Sequence, residues 1–208
     1  MFVEKLKELL QGDNNEYTVE ELLEYFGEST LIIGFVIATI ITSLPLPPWG
    51  FGFETLPGGF LCIFFAIQGI LGFEYAYLPD FIKKKTVNIE ILKESKFMES
   101  SLNFIDEHLE SGRYPWALNQ ISEISMYVLI LANAILMILP IVFTNGLPSQ
   151  CITGISIAWL LGDGLYFLIM LAICALIFFG YIFLFIVFGK WLYRTRKTWS
   201  FGILGNTR

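Results

Sequence analysis

Only two ionisable side chains interrupt the long apolar runs of this chain, Glu54 and Asp163. A carboxyl at membrane depth is costly to hold and by default marks a pathway, a proton relay or a binding site. Desolvation raises its pKa, which brings a change of protonation near neutrality within reach. Each also has a structural alternative. Glu54 fits the headgroup level of an extracytoplasmic loop. Asp163, in Gly162-Asp163-Gly164, fits the N-cap of the helix that follows, where a carboxylate satisfies free N–H groups and meets the positive end of the helix dipole. Gln68 and Asn145 are uncharged hydrogen-bonding groups next to two breaks in the apolar runs, and their alternative is polar glue between helices. At those breaks Gly50, Gly52, Gly58, Gly59 and Gly146 leave backbone N–H groups free to receive an anionic head group at half-helix N-termini. Together these residues are the candidates for binding a substrate.

Other chemistry is excluded by residue types. The single histidine, His108, lies between Glu107 and Glu110 on the polar side of a predicted linker helix, so no Ser/His/Asp triad can be assembled around it. There is no glycine-rich phosphate loop followed by Lys-Ser/Thr and no pair of metal-ligand motifs. Cys62, Cys151 and Cys174 sit inside apolar runs without paired spacing, which reads as buried inert thiols rather than a disulfide framework or a metal site. The expectation is a non-enzymatic protein without a cofactor. A net charge of −6 argues against nucleic acid, which selects a basic face.

The elements that position these groups must be membrane-embedded. Of the 208 residues, 55% are hydrophobic and only 15% charged, against about 25% charged in soluble domains. The charges are segregated. An acidic segment, residues 1–28, carries two lysines and eight acids. The first membrane block, 29–78, contains uncharged runs of 25 and 19 residues either side of Glu54. A polar linker, 79–123, follows. The second block, 124–189, holds uncharged runs of 39 and 26 residues either side of Asp163. The tail, 190–208, has five basic residues and no acid. Spanning helices need about 20 apolar residues.

The first segment is too acidic, and its apolar run starts too late, for a secretory leader. Thr18 and Glu21 instead form a predicted capping box, with Val19, Leu22, Leu23 and Phe26 at helical spacing behind it. In the linker, Ile91, Met98, Leu102, Ile105 and Leu109 form one seam of an amphipathic helix, with Gly112 as its stop.

Neither block reads as plain spanning helices. In the first, 30–44 is helix-like, then comes Pro45-Leu-Pro-Pro-Trp-Gly-Phe-Gly-Phe-Glu-Thr-Leu-Pro-Gly-Gly, and helix resumes to Phe73. Prolines so close together cannot continue a helix. The flanking pieces, about 22–24 Å long, fall short of a hydrocarbon layer of about 30 Å. In the second block, 125–139 leads into Pro140-Ile-Val-Phe-Thr-Asn-Gly-Leu-Pro-Ser, a short helix from about Cys151 to Trp159, and a long last helix from Gly164. Leu44-Pro45 with Leu56-Pro57-Gly58 resembles Leu139-Pro140 with Leu147-Pro148-Ser149. The predicted fold is an all-α polytopic membrane protein. It has two helix–break–helix hairpins in a weak internal repeat, a long C-terminal spanning helix and an amphipathic linker helix. The breaks are read as re-entrant, buried in protein or lining a wet cavity; the alternative is ordinary interfacial loops. The positive-inside rule puts Lys83, Lys84 and Lys85 in the cytoplasm, and Lys190, Arg194, Arg196 and Lys197 there too. Both clusters are predicted anchors to anionic lipid.

At the breaks the chain resembles the ExoD family of membrane proteins associated with exopolysaccharide synthesis. The resemblance runs from about Leu31 to Gly189. It rests on the proline-rich first break, Ala66-Ile-Gln68 with Leu71-Gly72, the Tyr77-Leu-Pro79 exit followed by basic residues, Pro140-Ile-Val-Phe-Thr-Asn145-Gly-Leu-Pro148, and Asp163-Gly164. It implies a multi-pass bacterial inner-membrane protein linked to envelope polysaccharide, and it supplies no reaction. By analogy of architecture alone, the design is similar to DedA-type proteins, whose paired re-entrant hairpins are linked to translocating lipid carriers. Two functions follow as expectations. One is movement or positioning of an anionic lipid-linked or small ionic substrate, such as a polyprenyl-phosphate carrier, with Glu54 protonatable. The other is a non-catalytic assembly partner of a polysaccharide synthase or export complex, docking through 89–110. Either is compatible with a homo-oligomer.

Overall fold

In the computed structural model, residues 2–12, 14–43, 56–93, 112–139 and 146–204 are described. They are mostly helical: α1 (Phe2–Gln11), α2 (Val19–Phe26), α3 (Thr30–Ser43), α4 (Leu56–Ile70), α5 (Asp80–Lys83), α6 (Glu90–Lys93), α7 (Gln120–Ile138), α8 (Gly146–Leu161) and α9 (Gly164–Leu204). Two three-residue strands, β1 (Glu16–Thr18) and β2 (Thr86–Asn88), pair antiparallel with Tyr17 opposite Val87.

α3 is helical through Ser43, the last residue described before the first break. The far side of each break differs from the sequence expectation. α4 starts at Leu56, ahead of Pro57 and Gly58, and α8 starts at Gly146, ahead of Pro148, five residues earlier than expected. In both, proline occupies the first turn, where a backbone N–H would have no acceptor in any case. α8 is therefore 16 residues rather than a short stub.

The five apolar helices run side by side with alternating direction. α4 lies antiparallel to α3, with Phe65 over Gly34 at one end and Gly58 against Ala38 and Thr42 at the other. It is also antiparallel to α7, with Gly69 under the Tyr127 ring and Gly59 against Ile138. α8 returns alongside α3, Thr153 bonding Thr39 and Ser149 bonding Thr42. α9 runs back along α8, with Gly154 against Met170 and Trp159 edge-on to Phe167 at 5.2 Å. Phe35, Ala38, Cys62, Ala66, Met126, Ile130, Ile152 and Ile155 fill the centre, all fully buried. Outward faces are apolar as well: Ile37, Phe60, Phe64, Ile135, Leu176 and Phe183 are exposed. A soluble monomer rarely exposes so much contiguous hydrocarbon, whereas lipid accepts it. Among the described residues, three helical stretches are long and apolar enough to cross a membrane, Val19–Ile40, Gln120–Ile138 and Gly164–Trp191.

A polar platform closes one end of this bundle. The predicted capping box is present: Thr18 Oγ1 accepts from the Glu21 N–H at 3.2 Å, and the Thr18 N–H donates to Glu21 Oε2 at 2.7 Å. α1 and the strands were not expected. They form because Lys5 donates to the Tyr25 carbonyl at the end of α2, and Lys93 donates to the Gly12 and Asn14 carbonyls and to Asn15 Oδ1. These lysines occupy the carbonyl ends of helices and turns, where a cation is favoured. Of the predicted linker helix, only α6 and the stop at Gly112 are described; 94–111, including His108, lie outside. Gly112 has φ +84°, a left-handed conformation natural to glycine.

Candidate functional site

The helix ends next to the two breaks converge. The C-terminal turn of α3 touches the first turns of both α4 and α8, and the last turn of α7 touches the first turn of α4. Every described residue bordering either break therefore lies at one end of the bundle, opposite the polar platform. α7, whose two ends are both described, runs 19 residues to that end, about 28 Å.

A seam of hydroxyls runs down from it between α3 and α8. Thr42 Oγ1 and Ser149 Oγ are 2.9 Å apart, and Thr153 Oγ1 donates to Thr39 Oγ1 at 2.8 Å. Thr42 and Thr153 also bond the carbonyls of Thr39 and Ser149, at 2.6 and 3.0 Å, one turn earlier in their own helices. Deeper in the bundle two polar atoms have no partner among the described residues: Asn133 Oδ1 on α7 and Ser156 Oγ on α8, in residues wholly removed from solvent. The Asn133 amide donates to the Leu129 carbonyl at 2.9 Å and reaches the Cys174 carbonyl of α9 at 3.5 Å. Leaving such acceptors unmet costs about 1–3 kcal/mol each, so they are points at which a donor would be welcome. Sequence reasoning passed over all six of these polar residues. Threonine and serine in apolar runs are ambiguous between back-bonding and crossing to a neighbour, and only their partners decide it.

The candidates from sequence divide between the two ends. Gly58 stands at the break end, its missing side chain allowing α3 to approach: a Cβ there would collide with the Ala38 carbonyl and the Thr42 methyl. Gly146 opens α8 with free space around it. Gly50, Gly52, Glu54 and Asn145 fall outside the described residues. Gln68 and Asp163 belong to the other end. Gln68 is buried and spans the Tyr77 peptide, accepting from its N–H at 2.7 Å and donating to its carbonyl at 3.2 Å. This clamps the exit from α4, next to the Thr30 hydroxyl that accepts from the Ala76 N–H at 2.9 Å.

Asp163 is the N-cap of α9, its Oδ1 accepting from the Tyr166 N–H at 3.0 Å. It is fully buried and carries a forked ion pair: Arg113 Nε donates to Oδ1 at 3.1 Å and its terminal nitrogen to Oδ2 at 2.7 Å. The Gly164 N–H donates to the Arg113 carbonyl at 2.7 Å, and a Cβ on Gly164 would strike the Arg113 and Tyr114 carbonyls. Asp163 thus ties the residues preceding α7 to the α8–α9 turn. The basic clusters also separate. Lys83 lies at the platform, 5.7 Å above the Tyr77 ring, with Lys84 and Lys85 exposed beside it. Lys190, Arg194, Arg196 and Lys197 are on α9, which continues unbroken to Leu204 instead of ending at a loose tail.

Comparison with curated proteins and with solved structures gives no match. The sequence does match the family described as "Exopolysaccharide synthesis, ExoD" over residues 2–184, so the similarity extends through the amphipathic N-terminal segment as well as both apolar blocks. That match takes in every element described here apart from the end of α9, and the chain belongs to the ExoD family.

Proposed function

We propose that this exopolysaccharide-synthesis protein moves or positions an anionic, lipid-linked substrate at the end of the bundle where the helix ends bordering the two breaks lie together. The observation that carries the reading is the clustering of four break-adjacent helix ends, three of which, those of α3, α4 and α8, border a seam of buried hydroxyls. Hydroxyls facing one another between helices supply donors and acceptors that lipid tails lack. Asn133 Oδ1 and Ser156 Oγ add unmet acceptors beneath it.

Partner exchange between the hairpins supports reading them as a repeat. The second leg of the first hairpin packs on the first leg of the second, and the reverse holds for α3 and α8. Both hairpins start and finish at the platform end, so in this reading they enter the bilayer from one face, side by side, unlike hairpins that oppose each other from two faces. The proposed role requires no bond to be made or broken. Glu54 is the group we assign to proton-coupled recognition of the substrate's charge.

Reconstitution into liposomes containing polyprenyl phosphate tests the proposal. Wild-type protein is expected to accelerate transbilayer movement of the phosphate, and Glu54→Gln to slow it. No acceleration by folded wild type removes the transport reading, and equal rates for the variant remove Glu54 from it.

A further inference from the structure

At the platform, α2 and the extended segment after α4 enclose a half-open cleft of about 410 Å³, within the size range of small-ligand sites. One wall carries Glu20 and Glu24, four residues apart and so on one face of α2. The other carries the rings of Tyr75 and Tyr77, with Lys83 set over the Tyr77 ring at 5.7 Å. Leu23, Gly27 and Ala76 complete the lining. Charges of opposite sign thus line one cleft without pairing. Neither glutamate has an ion-pair partner among the described residues, and Lys83 has no carboxylate within 4.0 Å among them. Two long, opposite charges that could neutralise each other but stand on facing walls suit a ligand that is itself dipolar.

We propose that this cleft binds the ammonium–phosphate headgroup of a zwitterionic phospholipid, phosphatidylethanolamine in kind. The ammonium lies between the Glu20 and Glu24 carboxylates and the tyrosine faces, whose quadrupoles attract cations. Lys83 takes the phosphate, with Lys84 and Lys85 exposed nearby. The acyl chains pass along Leu71 and Phe73, just after α4, and Phe81 of α5, all large apolar side chains that are exposed. Tyrosine at headgroup level beside basic residues is the expected chemistry of the membrane–water boundary. The carboxylates are the feature that a site for anionic lipid would not contain.

Lipid retention measured by native mass spectrometry on protein released from nanodiscs tests the assignment. Discs of equal phosphatidylethanolamine and phosphatidylglycerol content should yield protein carrying phosphatidylethanolamine. Retention should fall about tenfold, the change expected for loss of about 1.4 kcal/mol, in Glu20→Gln/Glu24→Gln and in Tyr75→Ala. Both variants should keep the wild-type melting temperature, since these side chains are exposed. Excess soluble glycerophosphoethanolamine should displace the lipid. Equal retention of phosphatidylglycerol, unchanged retention in both variants, or failure of the soluble headgroup to compete overturns the proposal. The result is independent of whether polyprenyl phosphate moves across the bilayer.

Discussion

Asp163 shows how one carboxylate can satisfy two demands at once: its Oδ1 caps α9 while both oxygens receive Arg113. The sequence made the cap legible, through an acid between two glycines at a helix start. It hid the ion pair, because Arg113 lies 50 residues away in a polar stretch with five other basic residues. Breaking a buried pair costs about 3–5 kcal/mol, and the one-third exposure of the Arg113 side chain lowers that toward about 2–3 kcal/mol. Asp163→Ala should therefore melt well below wild type in detergent. Asp163→Asn should recover part of the loss, because asparagine caps as well as aspartate. Glycines offer a second contrast. Gly58→Ala forces a methyl into the Ala38 carbonyl and should cost about 1–3 kcal/mol as overpacking. Gly146→Ala, with nothing within 4 Å, should shift stability by no more than about 0.5 kcal/mol; the same thermal melts decide both.

Among the elements, the hairpins were legible because proline clusters leave a coarse mark, and the exact restarts were not. Pro57 and Pro148 look like breakers in sequence, yet each sits in a first helical turn, so α4 and α8 are longer than proline spacing suggests. β1 and β2 were invisible for another reason. Three-residue strands have no periodicity, and these depend on partners far away in sequence, β2 for β1 and Lys93 for the turn before it. α3 is held to α8 by close packing of Phe35, Ala38, Ile152 and Ile155 and by interhelical hydroxyl bonds, since in lipid no hydrophobic drive pulls apolar helices together. A double-mutant cycle on Thr42→Val and Ser149→Ala should return a coupling of about 0.6–1.5 kcal/mol. Zero coupling would mean that the two hydroxyls each satisfy themselves within their own helix.

For the molecule as a whole, α9 decides topology. It begins at the platform and runs 41 residues without interruption, about 60 Å, twice a hydrocarbon layer. If it crosses the bilayer, the Lys190–Lys197 cluster emerges on the face opposite Lys83–Lys85, at odds with the charge rule that puts both in the cytoplasm. That rule counts charges and cannot see that three antiparallel passes separate the two clusters. Cysteines introduced at Lys84 and Lys197 should react with a membrane-impermeant maleimide from opposite sides of sealed vesicles. The native thiols of Cys62, Cys151 and Cys174 are buried and should stay silent. Labelling of both introduced positions from one side would show that α9 does not cross. The platform has a temporal corollary. Lys93 grips the carbonyl of Gly12, 81 residues earlier. α1 can dock on α2 early, through Lys5 and Tyr25, but the turn after α1 and β1 acquire Lys93 and β2 only once both legs of the first hairpin have left the ribosome. That later fastening is a check that the hairpin has come back to the side from which it departed.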